Sequence, residues 1–242
     1  MNKTNLPAWA KKSAMRRRKA EHPHADLDPR KTALVVIDLQ NAFMVKEHAV
    51  SLIASAVSIV DNVNRLATAV RGGGGKVFWI QNTFTPETVQ SWSNWFEMNL
   101  PEATSLSLET QKPGSPGHAL YAGLDVREQD DCVQKYRFSA FIEGGSDLPA
   151  RLRAGGYDTV IIVGTVTNVC CESSARDAAM LNFKTIMVSD ANATYDDDAH
   201  NATLGTFYAL FGDVASTDEI VAWIANNSRP AEAPATKTSA RA

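Results

Sequence analysis

Apolar and polar positions along this chain alternate between short apolar runs and longer amphipathic stretches. Residues 32–38 (TALVVID) are apolar almost without interruption, as in a central parallel strand covered on both faces. Residues 51–71 then carry apolar side chains at helical spacing, which predicts a first strand-helix pair. Further strands are predicted at 76–81 (KVFWIQ), 131–135 (DCVQK), 159–163 and 184–189 (KTIMVS), with a sixth beginning at Val214. Helices are predicted at 147–154, 168–181, 197–210 and 217–225. This alternation predicts an α/β fold, a doubly wound and mainly parallel six-stranded sheet with helices on both faces. Its active site is expected outside the carboxyl ends of the strands. The stretch 83–129 breaks the rhythm. It holds Trp92, Trp95, Phe96, His118 and Tyr121, and an insertion of that length in a compact domain is expected to form a lid or a pocket wall.

The two ends read as appendages, which leaves one domain at 31–226. Residues 1–30 gather Lys11, Lys12, Arg16, Arg17, Arg18 and Lys19 with too few apolar positions to bury, and are expected as a basic arm, the alternative being a segment that packs on a neighbouring subunit. His22 and His24 lie in it, and their proximity reads as coincidence rather than as a metal site. Residues 227–242 are rich in Pro, Ala and small polar side chains and are expected to be disordered. The length of 242 residues, 44% of them hydrophobic and 21% charged, suits a single α/β domain. A net charge of -3 supplies no attraction to nucleic acid or an anionic membrane, so a small-molecule partner is expected. No run approaches the roughly 20 apolar residues of a membrane span, and the N-terminus lacks the apolar core of a signal peptide. A cytoplasmic protein with reduced thiols is expected. Three cysteines without a CxxC pair make neither a disulfide framework nor a zinc site.

The segment IIVGTVTNVCCESSARDAAM, residues 161–180, reads as a buried strand, a sharp turn at Gly164 and a helix that opens near Cys170. Thr167 and Asn168 suit the N-cap. The unpaired first-turn amides and the positive end of the helix dipole predict a stabilised thiolate there. Asp38 ends the first strand and Lys135 the third, so the fold gathers both with Cys170 at carboxyl ends of strands. A carboxylate can take the thiol proton and return it to a leaving group, while an ammonium stabilises the thiolate; backbone amides at the turn can hold an oxyanion. Cys171 lies about 100° around the helix from Cys170 and reads as core, as does Cys132. Glycines 72–75 precede a strand rather than open a helix and read as a flexible turn, not a phosphate loop. Arg176 and Asp177 read as structural ion pairs.

Three segments, VVIDLQNAF at 35–43, VQKYRFSAF at 133–141 and GTVTNVCCESSARDA at 164–178, together resemble the isochorismatase-like cysteine hydrolases. The resemblance spans about residues 30–226 and implies a Rossmann-like three-layer sandwich with an Asp38, Lys135, Cys170 triad. It also implies a cis peptide between Thr165 and Val166 and an oxyanion hole made by the Val166 and Cys170 amides. Members that hydrolyse the isochorismate vinyl ether lack the cysteine, so Cys170 favours an amidase, a hydrolase of carbon-nitrogen bonds other than peptide bonds. Nicotinamidases have a metal-binding Asp-x-His where this chain reads Gln81, Asn82, Thr83, Phe84, so neither metal nor cofactor is expected. The WIQN segment, Asn41 and TNVC resemble the N-carbamoyl and ureidoacrylate branch, although Phe138 stands where ureidoacrylate enzymes have a tyrosine. Asn41, Phe43, Asn82, Phe84, Trp92 and Phe138 are the candidate substrate-binding residues, and a homo-oligomer is expected. The alternatives are a vinyl-ether hydrolase with an incidental thiol and a silent binding or scaffold protein.

Overall fold

Side-chain alternation in the first strand sets the layering. In a computed structural model that describes residues 1–18 and 20–228, β1 (Thr32–Ile37) is buried at every position. Ala33, Val35 and Ile37 enter one core while Leu34 and Val36 enter the other, because successive strand side chains point to opposite faces. The remaining strands are β2 (Lys76–Asn82), β3 (Asp131–Lys135), β4 (Thr159–Thr165), β5 (Lys184–Ala193) and β6 (Asp213–Ala215). All pair in parallel in the order β3-β2-β1-β4-β5-β6, so the winding reverses between β1 and β4. A crevice at the carboxyl ends follows from that reversal.

The helices, in chain order, are α1 (Ala8–Arg17), α2 (Asn41–Met44), α3 (Val60–Gly72), α4 (Pro86–Ser91), α5 (Ser93–Phe96), α6 (Pro101–Gln111), α7 (Leu148–Ala154), α8 (Glu172–Met180), α9 (Asp197–Leu210) and α10 (Thr217–Asn227). α3 and α10 cover one face through Val63, Leu66, Val70, Ile220 and Ile224. α7, α8 and α9 cover the other through Leu152, Ala175, Ala178, Leu204 and Phe207. Each such large apolar side chain, fully removed from water, contributes about 1.5 to 3 kcal/mol before chain entropy is subtracted. No helix among the described residues is long and apolar enough to cross a membrane.

Several sequence expectations shift. The helix expected over 51–71 is α3 and begins at Val60, preceded by a short 3-10 turn, Ala56–Ile59. Residues before it are engaged elsewhere: Ile53 N donates to Phe43 O at 2.8 Å and Ser55 Oγ to Thr194 O at 2.7 Å. The 83–129 insertion contains α4, α5 and α6. α6 buries only Gln111, so it has no apolar stripe to betray it. Cys132 is exposed and not core, because β3 is an edge strand whose inward positions are Val133 and Lys135.

The basic N-terminal segment lies against its own chain. α1 buries Ala10 and Ala14 against the core that includes Leu204, Phe207 and Tyr208 of α9. The approach is close: a Cβ on Gly205 would come within 3.0 Å of Pro7 Cδ. Arg17 donates to Ala209 O at 2.9 Å and Leu210 O at 3.2 Å, and Arg18 to Gly212 O at 3.0 Å, which satisfies carbonyls at the C-terminus of α9. His22 Nδ1 sits 3.1 Å from Asp213 Oδ1, so that histidine is tied to β6. The expected disordered tail falls, apart from Asn227 and Ser228, outside the described residues.

Candidate active site

The last residues of β2 and β3 and the first after β1 meet at the carboxyl edge of the sheet. Lys135 pairs in register with Asn82, and its Nζ donates to Asn82 Oδ1 at 2.8 Å and to Arg137 O at 3.0 Å. The same Nζ lies 3.7 Å from Cys170 Sγ and 2.9 Å from Asp38 Oδ2. β3 is separated from β1 by β2, so Lys135 reaches Asp38 past the end of β2, with Asn82 as the intervening support. Asp38, Lys135 and Cys170 are 1%, 0% and 7% exposed. An ammonium has three hydrogens to donate, and Asn82, Arg137 and Cys170 are in line for them. Asp38 is therefore held as an ion pair, and neither of its oxygens has a well-directed hydrogen bond. Its backbone is left-handed at φ 52, a conformation that aspartate tolerates better than most residues.

Cys170 is carried by a π-helical turn, Thr167–Cys171, that leads directly into α8. The N-cap is Val166, so Thr167 and Asn168, the residues expected to cap the helix, are the first two residues of the turn itself. The Thr165–Val166 peptide is cis. Gly164, at φ +119, lets β4 pass β1: a Cβ there would stand 2.1 Å from Ile37 O. Cys171 points into the core and is fully buried. Arg176 makes an ion pair with Glu172 one turn earlier on the helix.

Burial dominates the electrostatics. It pushes the Asp38 carboxyl above the ordinary carboxylate range, with Lys135 opposing. It also works against the Lys135 ammonium, but Asp38 and then Cys170 outweigh it and hold the lysine above its usual value. The Cys170 thiol is pushed up to about 12 by burial; Lys135 acts downward, Asp38 upward, and a backbone hydrogen bond from Val166 downward. The net push is upward, opposite to the direction expected from the helix terminus alone. A helix N-terminus contributes at most about 2 kcal/mol, and although the Lys135 ammonium 3.7 Å away adds to it, dehydration of a buried charge is the larger effect. Burial thus favours the protonated thiol at Cys170, beside the close Asp38-Lys135 contact.

The candidate binding residues divide. Phe84, Trp92 and Phe138 join Trp95 and Phe96 in one aromatic cluster: Trp92 and Trp95 stack at 4.6 Å, and Phe138 meets Trp92 edge-on at 5.0 Å. Phe138 also packs on the core that contains Cys170. The Arg137 guanidinium lies 5.1 Å from the Trp92 ring and donates to Ser91 O at 2.9 Å, fastening the cluster to β3. Asn82 supports Lys135. Asn41 Nδ2 donates to Pro116 O at 2.9 Å, and Phe43 packs on the opposite core, so both brace the loop after β1.

Sequence reasoning missed Gln40 and Gln111, buried amides behind Lys135 and Asn82. Gln40 accepts from Asn82 N at 2.7 Å and donates to Asn82 O and His118 O, while Gln111 accepts from Asn82 Nδ2. The adjacent Gln40 in the first motif was the available signal. His118 bonds Thr83 Oγ1 at 2.8 Å and is lowered by burial, hence neutral. Among the described residues, no group of three or more His, Cys, Asp or Glu is placed to hold a metal ion.

Comparison with known proteins agrees with this architecture. The family model described as Isochorismatase domain matches residues 32–219. The ureidoacrylate amidohydrolase RutB of Rhizobium rhizogenes is 31% identical over 221 residues, covering 86% of this chain and 88% of that protein. Among solved structures, a cysteine hydrolase from Pseudomonas syringae superposes with a TM-score of 0.72 at 27% identity, covering 84% of this chain and 96% of its own. An N-carbamoylsarcosine amidase from Thermoplasma acidophilum gives 0.62 at 26% identity, covering 78% and 97%.

Proposed function

This chain belongs to the isochorismatase family, and from that premise we propose that it is an amidohydrolase that uses Cys170 to cleave a C–N bond of a small amide or N-carbamoyl compound. The observation that carries the proposal is one buried ammonium, Lys135, in reach of both Asp38 and Cys170. Asp38 takes the proton from Cys170 as sulfur attacks the substrate carbonyl. One negative charge thereby moves from carboxylate to sulfur to oxyanion, and Lys135 stays protonated beside its path. The Val166 and Cys170 amides are assigned to the oxyanion, consistent with a Val166 backbone hydrogen bond that already favours negative sulfur. Protonated Asp38 then gives its hydrogen to the departing nitrogen, which leaves as ammonia or an amine and a thioester on Cys170. Water, deprotonated by Asp38, cleaves the thioester and restores the thiol.

A resting thiol suits this order of events. Proton transfer is coupled to attack, so the nucleophile is formed only against a bound carbonyl. The cluster of Trp92, Trp95 and Phe138 offers flat apolar faces to a planar ureido or amide group, and the names of the ureidoacrylate and N-carbamoylsarcosine relatives support that class. A panel of N-carbamoyl amino acids, ureido acids and primary amides, assayed for ammonia, tests the reading. At least one N-carbamoyl or ureido acid is expected to exceed the simple amides in kcat/KM. Pyruvate from isochorismate with no ammonia from any panel member would overturn it.

A further inference from the structure

The turn that carries Cys170 is anchored from behind by the first few residues of the chain. Two chains of hydrogen bonds run between them. In one, Thr167 bonds His200 Nδ1 at 3.0 Å, and His200 Nε2 bonds Ser189 O at 3.0 Å. A carbonyl can only accept, so Nε2 carries the ring hydrogen and Nδ1 accepts from the Thr167 hydroxyl. Burial keeps His200 neutral, which suits that arrangement. Thr4 Oγ1 donates to the same Ser189 carbonyl at 3.0 Å. In the other, Thr194 Oγ1 donates to Asn168 Oδ1 at 2.6 Å, and the Thr194 amide donates to Asn2 Oδ1 at 3.0 Å.

Both chains end on the first two residues of the nucleophile turn and begin on one short N-terminal strap. The strap is itself fixed. Asn2 Nδ2 and Lys3 N both donate to Asp197 Oδ1, at 3.1 and 3.0 Å, and Asn201 bonds Asn5 N and Lys3 O at 2.6 and 2.8 Å. Asn2 is buried although it stands one residue from the start of the sequence. These residues lie outside the stretch that the family model matches, which starts at residue 32.

We propose that Asn2 and Thr4 are positioning residues for the nucleophile, holding the Thr167–Cys171 turn so that Cys170 Sγ keeps its place beside Lys135 and Asp38. The inference rests on the reading of Cys170 as the nucleophile. A π-helical turn is a rare and weakly self-supporting element, so its geometry depends on outside restraints. Displacement of a reacting atom by about 1 Å can cost on the order of a hundredfold in rate. A looser turn also lets water and reagents reach a sulfur that is now almost covered.

The test compares the full-length Asn2→Ala/Thr4→Val double variant with Thr4→Ser and wild type. The double variant is expected to lose about tenfold in kcat with KM within about twofold, and iodoacetamide is expected to label its Cys170 several-fold faster. Cys171 remains unlabelled, which separates a loosened turn from global unfolding. Thr4→Ser keeps the hydroxyl and is expected to match wild type. If the double variant does not fold, Thr4→Val against Thr4→Ser carries the same comparison at an exposed position. The strap's role is overturned by kcat and labelling both within twofold of wild type, by a loss confined to KM, or by equal labelling of Cys171. Failure of the parent reading looks different: turnover would survive Cys170→Ala in the otherwise native chain.

Discussion

Replacing Cys170 with alanine is expected to lower kcat/KM by about ten-thousand-fold or more while leaving the protein folded. The attacking atom is gone, and what remains is binding and the oxyanion donors, whose contribution without a nucleophile is on the order of a thousandfold over water. The structural cost is small. The exchange removes one sulfur at the solvent edge of the core, and it leaves Lys135 with Asn82, Arg137 and Asp38 still around it. Cys171→Ala inverts the pattern: turnover is retained and stability falls by about 1 kcal/mol, because that side chain is fully buried against the sheet. Steady-state ammonia release and thermal unfolding of the two variants measure both halves. An active Cys170→Ala with a dead Cys171→Ala would move the chemistry to the neighbouring thiol.

Lys135→Met is expected to abolish turnover and to destabilise the protein by about 3 to 5 kcal/mol, because it strands the buried Asp38 carboxylate. The Asn82 side-chain carbonyl and the Arg137 carbonyl lose a donor as well. The loss has a pH signature. Burial already raises the Asp38 carboxyl, and removing the ammonium leaves burial acting with less opposition. A carboxyl raised in the folded state favours folding while it is protonated, below its unfolded pKa, and that contribution is lost as pH rises through the folded value. The deficit of Lys135→Met therefore shrinks toward acid pH and grows through neutrality. Adding Asp38→Asn removes the stranded charge and is expected to recover most of the stability at pH 7 and none of the activity. Urea unfolding of the two single variants and the double, at pH 5 and pH 8, gives the coupling directly. A single variant as stable as wild type at pH 8 would contradict the buried ion pair.

What was legible in the sequence and what was not follows from which forces are local. The apolar run of β1 and the β-branched run of β4 announce themselves because a strand buried on both faces has no polar alternation. Lys135 ends β3, Asp38 follows β1 directly and Cys170 lies on the turn after β4, so a strand prediction carries their positions with it. The support for Lys135 did not show. Asn82, Gln40 and His118 meet through hydrogen bonds across 42 to 78 residues of chain, so although Asn82 and the first motif drew notice, no local pattern shows that they converge behind Lys135. α1 escaped because it packs through alanines and a glycine rather than large apolar side chains. The upward push on the thiol did not show for a similar reason: the helix terminus is a local feature, whereas burial of Cys170 is a property of the completed fold.

Acid-quenched turnover followed by peptide mass spectrometry, with a substrate from the ammonia panel, decides whether Cys170 is the nucleophile. An acyl or carbamoyl mass is expected on the peptide that contains Cys170 and is expected to be lost in Cys170→Ala. An adduct on any other residue, or one that survives Cys170→Ala together with turnover, would contradict that role.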